Sequence, residues 1–141
     1  MTTCAAKGGI FAADTQLTSG QTIYRVSKLF RLPDGGVATG AGDWQDLYAV
    51  LRWLADGEHG ECPEFPESAI LIGRPDGTLW LADDKYAPYP LIGNCAAIGV
   101  GSQAAQIAMA GGQSAQQAVA AVCGHDPNTS APVETMKVRL K

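Results

Sequence analysis

No apolar stretch in this chain approaches the ~18 residues that crossing a bilayer as a helix requires, so a membrane span is not expected. Histidine is scarce, with only His59 and His125, and the four cysteines (Cys4, Cys62, Cys95, Cys123) include no C-x-x-C pair. A structural zinc site needs about four clustered Cys/His ligands, and this spacing offers none, so no metal or other cofactor is expected. Blocks of like charge are missing too, and the formal net charge is -4. That balance argues against a nucleic-acid partner and against an anionic membrane surface. Met1 to Gly9 has neither a charged start nor an apolar run, so a secretory leader is not expected. Reduced thiols in a cytoplasmic protein are the expectation.

What is present suits a folded domain. The chain has 141 residues, 46% hydrophobic and 17% charged. Residues 1–141 therefore read as one domain with a real core. Thr3 to Lys7 and Ile10 to Ala13 read as short strands around a Gly8-Gly9 turn. Thr22 to Leu32 carries alternating and β-branched residues, and Pro33-Asp34-Gly35-Gly36 turns the chain into a strand over Val37 to Gly40. Asp43 predicts a helix N-cap. Trp44, Leu47, Tyr48, Leu51, Leu54 and Ala55 follow at helical spacing, and Gly57 closes the helix. Glu58 to Glu67 is polar and reads as a loop.

Ala69 to Gly73 and Thr78 to Ala82 flank Arg74-Pro75-Asp76-Gly77, a hairpin signal. Asn94 to Ile98 reads as a buried strand, Ser102 to Ala110 and Ala115 to Val122 as helices with Ser114 capping the second, and Met136 to Leu140 as a closing strand. Alanine-rich helices pack closely against something, within this domain or on a neighbouring subunit. Strand runs and helix runs in this order favour an α+β arrangement over alternating βαβ units. Trp44, Trp53 and Trp80 sit in apolar contexts and read as core residues.

Several residues bear on chemistry. Loss of Met1 would leave Thr2 with a hydroxyl and a free α-amine, and that amine can act as base for its own hydroxyl. Asp14 ends a short apolar strand. Lys28 lies within a strand pattern between Val26 and Leu29; pointing inward beside Asp14, it would hold the N-terminal residue and favour a deprotonated hydroxyl. Ala41-Gly42, just before a helix N-terminus, offers an unhindered backbone N–H to an oxyanion. Asp126-Pro127-Asn128-Thr129 is a polar turn before the last strand. Gly99-x-Gly101-x-x-Ala104 imitates a dinucleotide fingerprint, but too few residues follow to build the rest of a doubly wound sheet. Cys4 has no histidine near it in sequence and reads as a small core residue.

The order Thr2-Thr3, Gly9-Ile-Phe-Ala-Ala-Asp14, Thr18, Val26-Ser-Lys28, Gly40-Ala-Gly42, Ala97-Ile-Gly-Val-Gly101 and Asp126-x-x-Thr129 resembles the proteasome β-subunit family of N-terminal nucleophile hydrolases, in particular its short HslV-like phage and bacterial members. The match runs through nearly the whole chain. The resemblance implies a four-layer αββα sandwich, with two mostly antiparallel sheets between helical layers. It implies a threonine endopeptidase with Thr2 as nucleophile, Lys28 and Asp14 as its charged pair, Gly42 in the oxyanion hole, and Asp126 and Thr129 supporting the amine. It places Thr18 where the backbone takes up substrate as an added strand, and Leu17, Val26, Phe30 and Gly40 around a specificity pocket. Peptide or unfolded protein would be the substrate, and a homo-oligomeric ring the assembly.

Three departures stand out. Val100 occupies the place of the family's serine in the Gly-x-Gly segment, with Ser102 two residues on as a substitute. The first hairpin is about four residues short; removing two from each strand keeps side-chain parity. One helix, not two, lies between Gly42 and Ala69, which leaves an ATPase unfoldase partner open. A retained Met1 would block the amine. The residues therefore also admit a non-catalytic scaffold or binding protein, and a small-molecule amidase on the same fold.

Overall fold

The computed structural model describes residues 2–140. The chain runs β1 (Thr3–Lys7), β2 (Ile10–Ala13), β3 (Gln16–Ser19), β4 (Thr22–Arg25), β5 (Leu29–Arg31), β6 (Val37–Ala41), α1 (Trp44–Ala55), β7 (Ala69–Gly73), β8 (Leu79–Asp83), β9 (Tyr89–Leu91), β10 (Cys95–Gly99), α2 (Ser102–Ala110), α3 (Ala115–Cys123) and β11 (Glu134–Lys137). These strands form a four-stranded sheet in the order β10-β1-β2-β11, a five-stranded meander β5-β6-β7-β8-β9, and a separate β3-β4 ribbon. Every pairing is antiparallel.

Period-two alternation sorts the strand residues into three apolar clusters. Cys4, Ala6, Phe11, Ala13 and Ile98 of the four-stranded sheet meet Leu29, Val37, Ala41, Leu71 and Leu79 of the meander. The opposite side chains of the first sheet, Ala5, Ala12 and Ala97, pack against Ala105, Met109, Ala115, Ala118, Val119 and Val122 of α2 and α3. Small residues on both sides let these helices approach closely, so the alanine-rich helices find their partner within this domain. The other face of the meander, through Ala38, Ile70, Ile72 and Ala82, takes Leu47, Val50, Leu51 and Leu54 of α1, with Trp44, Trp53 and Trp80 packed at its margin.

The local helix signals correspond to physical caps. The Asp43 side chain accepts from Asp46 N, and Asp56, just ahead of Gly57, ends α1. Ser114 and Gln117 form a reciprocal capping box at α3.

The fold-class expectation is corrected. The described residues are mostly β, with eleven strands in three antiparallel sheets and three short helices, rather than a four-layer αββα sandwich of two sheets. Two features account for the difference. The segment after α1 stays in turns and loops up to β7, so one 12-residue helix, not a helical layer, covers the meander. The stretch read as one strand from Thr22 to Leu32 breaks between Arg25 and Leu29, and β4 pairs only with β3. The last strand also lies earlier than expected, at Glu134–Lys137. No helix among the described residues is long and apolar enough to cross a membrane.

Candidate active site

Thr2 lies just ahead of β1, a central strand of its sheet. Its carbonyl accepts from Val100 N at 2.8 Å, beyond the end of β10. Gly99 permits this approach: its φ is +98°, and a side chain there would run into the Thr2 carbonyl oxygen. Thr3 and Asp14 brace each other, with Thr3 N donating to Asp14 Oδ1 at 3.0 Å and Asp14 N donating to the Thr3 carbonyl at 3.2 Å. Asp14 Oδ2 also accepts from Gln16 N, at 3.2 Å.

Lys28 is carried in from the start of β5 and is 1% exposed; Asp14 is 0% exposed. Burying an ammonium costs several kcal/mol unless an opposite charge and hydrogen bonds offset it. Here Lys28 Nζ donates to Asp14 Oδ1 at 3.0 Å and to Thr2 Oγ1 at 3.1 Å. The expected trio Thr2, Lys28 and Asp14 is therefore assembled, with the hydroxyl oxygen held against a cation that favours its deprotonated form.

Thr2 opens on a cleft of about 1070 Å³, lined with Ala41, Gly42, Asp43, Asp46, Pro66, Glu67, Ser68, Ala69, Asp83, Asp84, Gly99 and Val100. Gly42 thus lies in the same cleft as the hydroxyl. Its φ of +139° and the Ser68 side chain, which a Cβ would strike, both demand glycine. Of the two amides at this corner, Asp43 N is engaged, donating to Ser68 Oγ at 3.1 Å.

Other expected site residues fall elsewhere. Thr129 is fully buried, and its hydroxyl lies 2.9 Å from that of Thr3, not against Thr2. Strand alternation explains the choice. Thr3 shares the face of Ala5, turned to α2 and α3, and the Asp126–Thr129 turn follows α3. Asp126 Oδ1 accepts from Asn128 N at 2.8 Å, closing its own turn. Ser102 opens α2 and is not among the cleft-lining residues. At position 100 the backbone does the holding, and Val100 is among the residues that line the cleft.

Leu17, Thr18, Val26, Phe30 and Gly40 lie outside the cleft lining. Thr18 is exposed on β3, where its hydroxyl accepts from Gln16 Nε2 at 3.0 Å. Leu17 and Val26 are half-buried. Phe30 packs edge-on against Tyr48 of α1, and Gly40 sits beneath Leu47. Met1, whose removal the proposed chemistry requires, lies outside the described residues.

Sequence reasoning missed Ser68 and the acidic rim of Asp43, Asp46, Glu67, Asp83 and Asp84. It also missed Thr39, whose hydroxyl donates to the Lys28 carbonyl at 2.7 Å. Asp43 was legible only as a helix cap; the others have no local signal, because what brings them to the cleft or to Lys28 is packing between elements distant in sequence. Cys4, fully buried beside this group, has its thiol pushed up to about 12, chiefly by desolvation, and is inert at neutral pH. No disulfide joins the cysteines, all four of which are free. Among the described residues no cluster of His, Cys, Asp and Glu is disposed to hold a metal ion.

No protein-family model and no curated protein matches the sequence. Solved structures do match in fold. BPH from Thiobacillus denitrificans superposes with a TM-score of 0.71 at 16% identity, covering 98% of this chain and 98% of that one. A second structure of that protein, in complex with epoxomicin, also gives a TM-score of 0.71 at 16% identity, over 98% of this chain and 99% of that one. At this identity the likeness is one of fold.

Proposed function

We propose that this protein is an N-terminal threonine peptidase that cleaves peptide bonds through an ester on Thr2, once Met1 has been removed. The observation that carries the reading is the buried line Thr2 Oγ1–Lys28 Nζ–Asp14 Oδ1, with steps of 3.1 and 3.0 Å, at the edge of an open cleft. The binding of epoxomicin, a proteasome inhibitor, by a protein of the same fold supports it.

In the proposed reaction Thr2 Oγ attacks the peptide carbonyl and its proton passes to the freed α-amine. Lys28 stabilises the oxygen as its proton leaves, and Asp14 holds Lys28. The carbonyl oxygen becomes an oxyanion facing the Gly42 backbone. The C–N bond then breaks, the leaving amine takes the proton, and an ester remains on Thr2. Water, deprotonated by the same amine, attacks the ester, releasing the carboxylic acid and restoring the hydroxyl. The reading extends to a cytoplasmic, ring-forming homo-oligomer acting on peptides or unfolded protein, with an ATPase partner left open.

A non-catalytic scaffold is the second reading. It is favoured by two observations: Thr129 engages Thr3 rather than Thr2, and the position of the family's serine is Val100.

A peptide epoxyketone distinguishes the two. A chain shown by intact mass to begin at Thr2 gains the inhibitor's mass on that residue, and Thr2→Ala abolishes the gain. Absence of any adduct on such a chain refutes the peptidase.

A further inference from the structure

We propose that Ser68 is a positioning residue for the oxyanion corner: its hydroxyl holds the Asp43 amide, so that Gly42 keeps the one conformation that aims its own N–H at the reacting carbonyl. The proposal rests on the peptidase reading for its kinetic consequence, but not for its structural one.

Gly42 is the hinge between β6 and α1. Glycine is the residue least restrained in φ and ψ, so an amide here is aimed only if both neighbours are fixed. On one side Ala41 ends β6 and pairs with Ala69 of β7. On the other Asp43 caps α1, and its N–H donates to Ser68 Oγ at 3.1 Å. Ser68 and Ala69 are consecutive, so one short piece of chain grips the glycine from both ends.

Ser68 is itself well anchored. It is 4% exposed. Its hydroxyl proton goes to the Pro66 carbonyl at 3.2 Å, which leaves the oxygen to accept from Asp43 N. Its carbonyl accepts from Asp84 N at 3.0 Å, just beyond the end of β8. Its side chain packs against the bare Cα of Gly42, where φ is +139°. Ser68, Gly42 and Asp43 all line the cleft on which Thr2 opens.

With the Asp43 amide engaged by Ser68, the oxyanion of the proposed reaction is left to the Gly42 amide at this corner. A donor that serves a transition state must be aimed before the charge develops, and losing one such donor costs about 10²–10³ in rate. A hinge released at one end keeps its donor and loses part of the aim.

A merely structural Ser68 would anchor the start of α1 and affect stability alone. The test compares Ser68→Ala, which removes the hydroxyl, with Ile72→Val, a core change beneath α1 and away from the cleft. Two readouts are taken on a chain that begins at Thr2. One is epoxyketone labelling of Thr2, resolved into the maximal rate and the half-saturating concentration. The other is hydrogen exchange of the Asp43 amide, followed by NMR.

Positioning predicts that Ser68→Ala lowers the maximal rate by about tenfold to a hundredfold, with half-saturation unchanged and faster exchange at Asp43. Ile72→Val is labelled like the unsubstituted protein. Unsubstituted labelling in Ser68→Ala overturns the proposal. So does an equal slowing in Ile72→Val, or an effect confined to half-saturation. Should Ser68→Ala fail to fold, Ser68→Cys decides, since a thiol sulfur accepts only weakly; labelling at the unsubstituted rate there overturns the proposal. If the unsubstituted protein is not labelled, the peptidase reading falls, and hydrogen exchange alone decides whether Ser68 holds the corner: unchanged exchange at Asp43 overturns it.

Discussion

Replacing Asp14 by Asn tests whether the buried pair is arranged as the geometry indicates. Asp14 Oδ1 accepts from both Lys28 Nζ and Thr3 N, each at 3.0 Å, and Oδ2 accepts from Gln16 N at 3.2 Å. Asparagine offers one acceptor oxygen and an NH₂ group. Whichever way it turns, that NH₂ faces a donor, and the ammonium loses its negative neighbour. Removing one member of a buried ion pair costs about 3–5 kcal/mol. For a domain of this size that corresponds to a fall in Tm of about 10–15 °C.

Lys28→Met behaves differently. It removes the ammonium together with its desolvation cost and leaves Asp14 accepting from two main-chain amides, so the expected loss is about 1–2 kcal/mol. Both variants lose labelling of Thr2, but only Asp14→Asn loses much stability. The double variant is expected to be less destabilised than the sum of the two single changes. Urea unfolding of the four proteins measures this cycle. A loss below about 1 kcal/mol for Asp14→Asn, or one no larger than that of Lys28→Met, refutes the argument.

Two further outcomes follow from backbone and thiol chemistry. Gly99→Ala is expected to cost at least about 2 kcal/mol, because positive-φ strain adds to collision with the Thr2 carbonyl. Gly93→Ala, at φ +110° but facing open space, carries the strain alone, so equal losses in unfolding assays contradict the reading. Cys4 is expected to resist alkylation at pH 8 in the folded protein while the partly exposed Cys62, Cys95 and Cys123 react; modification of Cys4 as fast as Cys62, by peptide mass mapping, contradicts its burial. The Cys4 thiol titrates near 12 when folded against a reference of 9.0, so its contribution to stability is intact below pH 9 and lost as pH rises towards 12. Over three units this amounts to about 4 kcal/mol, isolated by comparing the pH dependence of unfolding with that of Cys4→Ala.

How much of this was legible in the sequence depended on how far apart the interacting residues lie. The Asp43 and Ser114 caps depend on neighbours three residues away and were readable. Strands β3 and β9 were not read: Gln16–Ser19 and Tyr89–Leu91 are short, largely exposed and without an apolar alternation. The break between β4 and β5 was equally hidden. Ile23 and Tyr24 look like core residues in a β-branched run, yet each is 53% exposed on a ribbon that joins neither sheet.

The site shows most clearly where one-dimensional reading ends. Thr2 and Thr3 are adjacent and chemically identical, and Asp126–Thr129 was recognised as a polar turn before the last strand, which the resemblance alone assigned to the N-terminal amine. Which threonine it would meet was decided by strand parity. β1 directs Cys4 and Ala6 between the sheets and Ala5 towards the helices, and this alternation sends Thr3 to Thr129 and leaves Thr2 with Lys28. A one-residue slip of β1 against β10 would exchange the two. The Val100 N–H to Thr2 carbonyl bond, possible only because Gly99 has no side chain, opposes that slip. The glycine before Val100 thus acts on the nucleophile through register, which is why a position read in the sequence as a missing serine still belongs to the site.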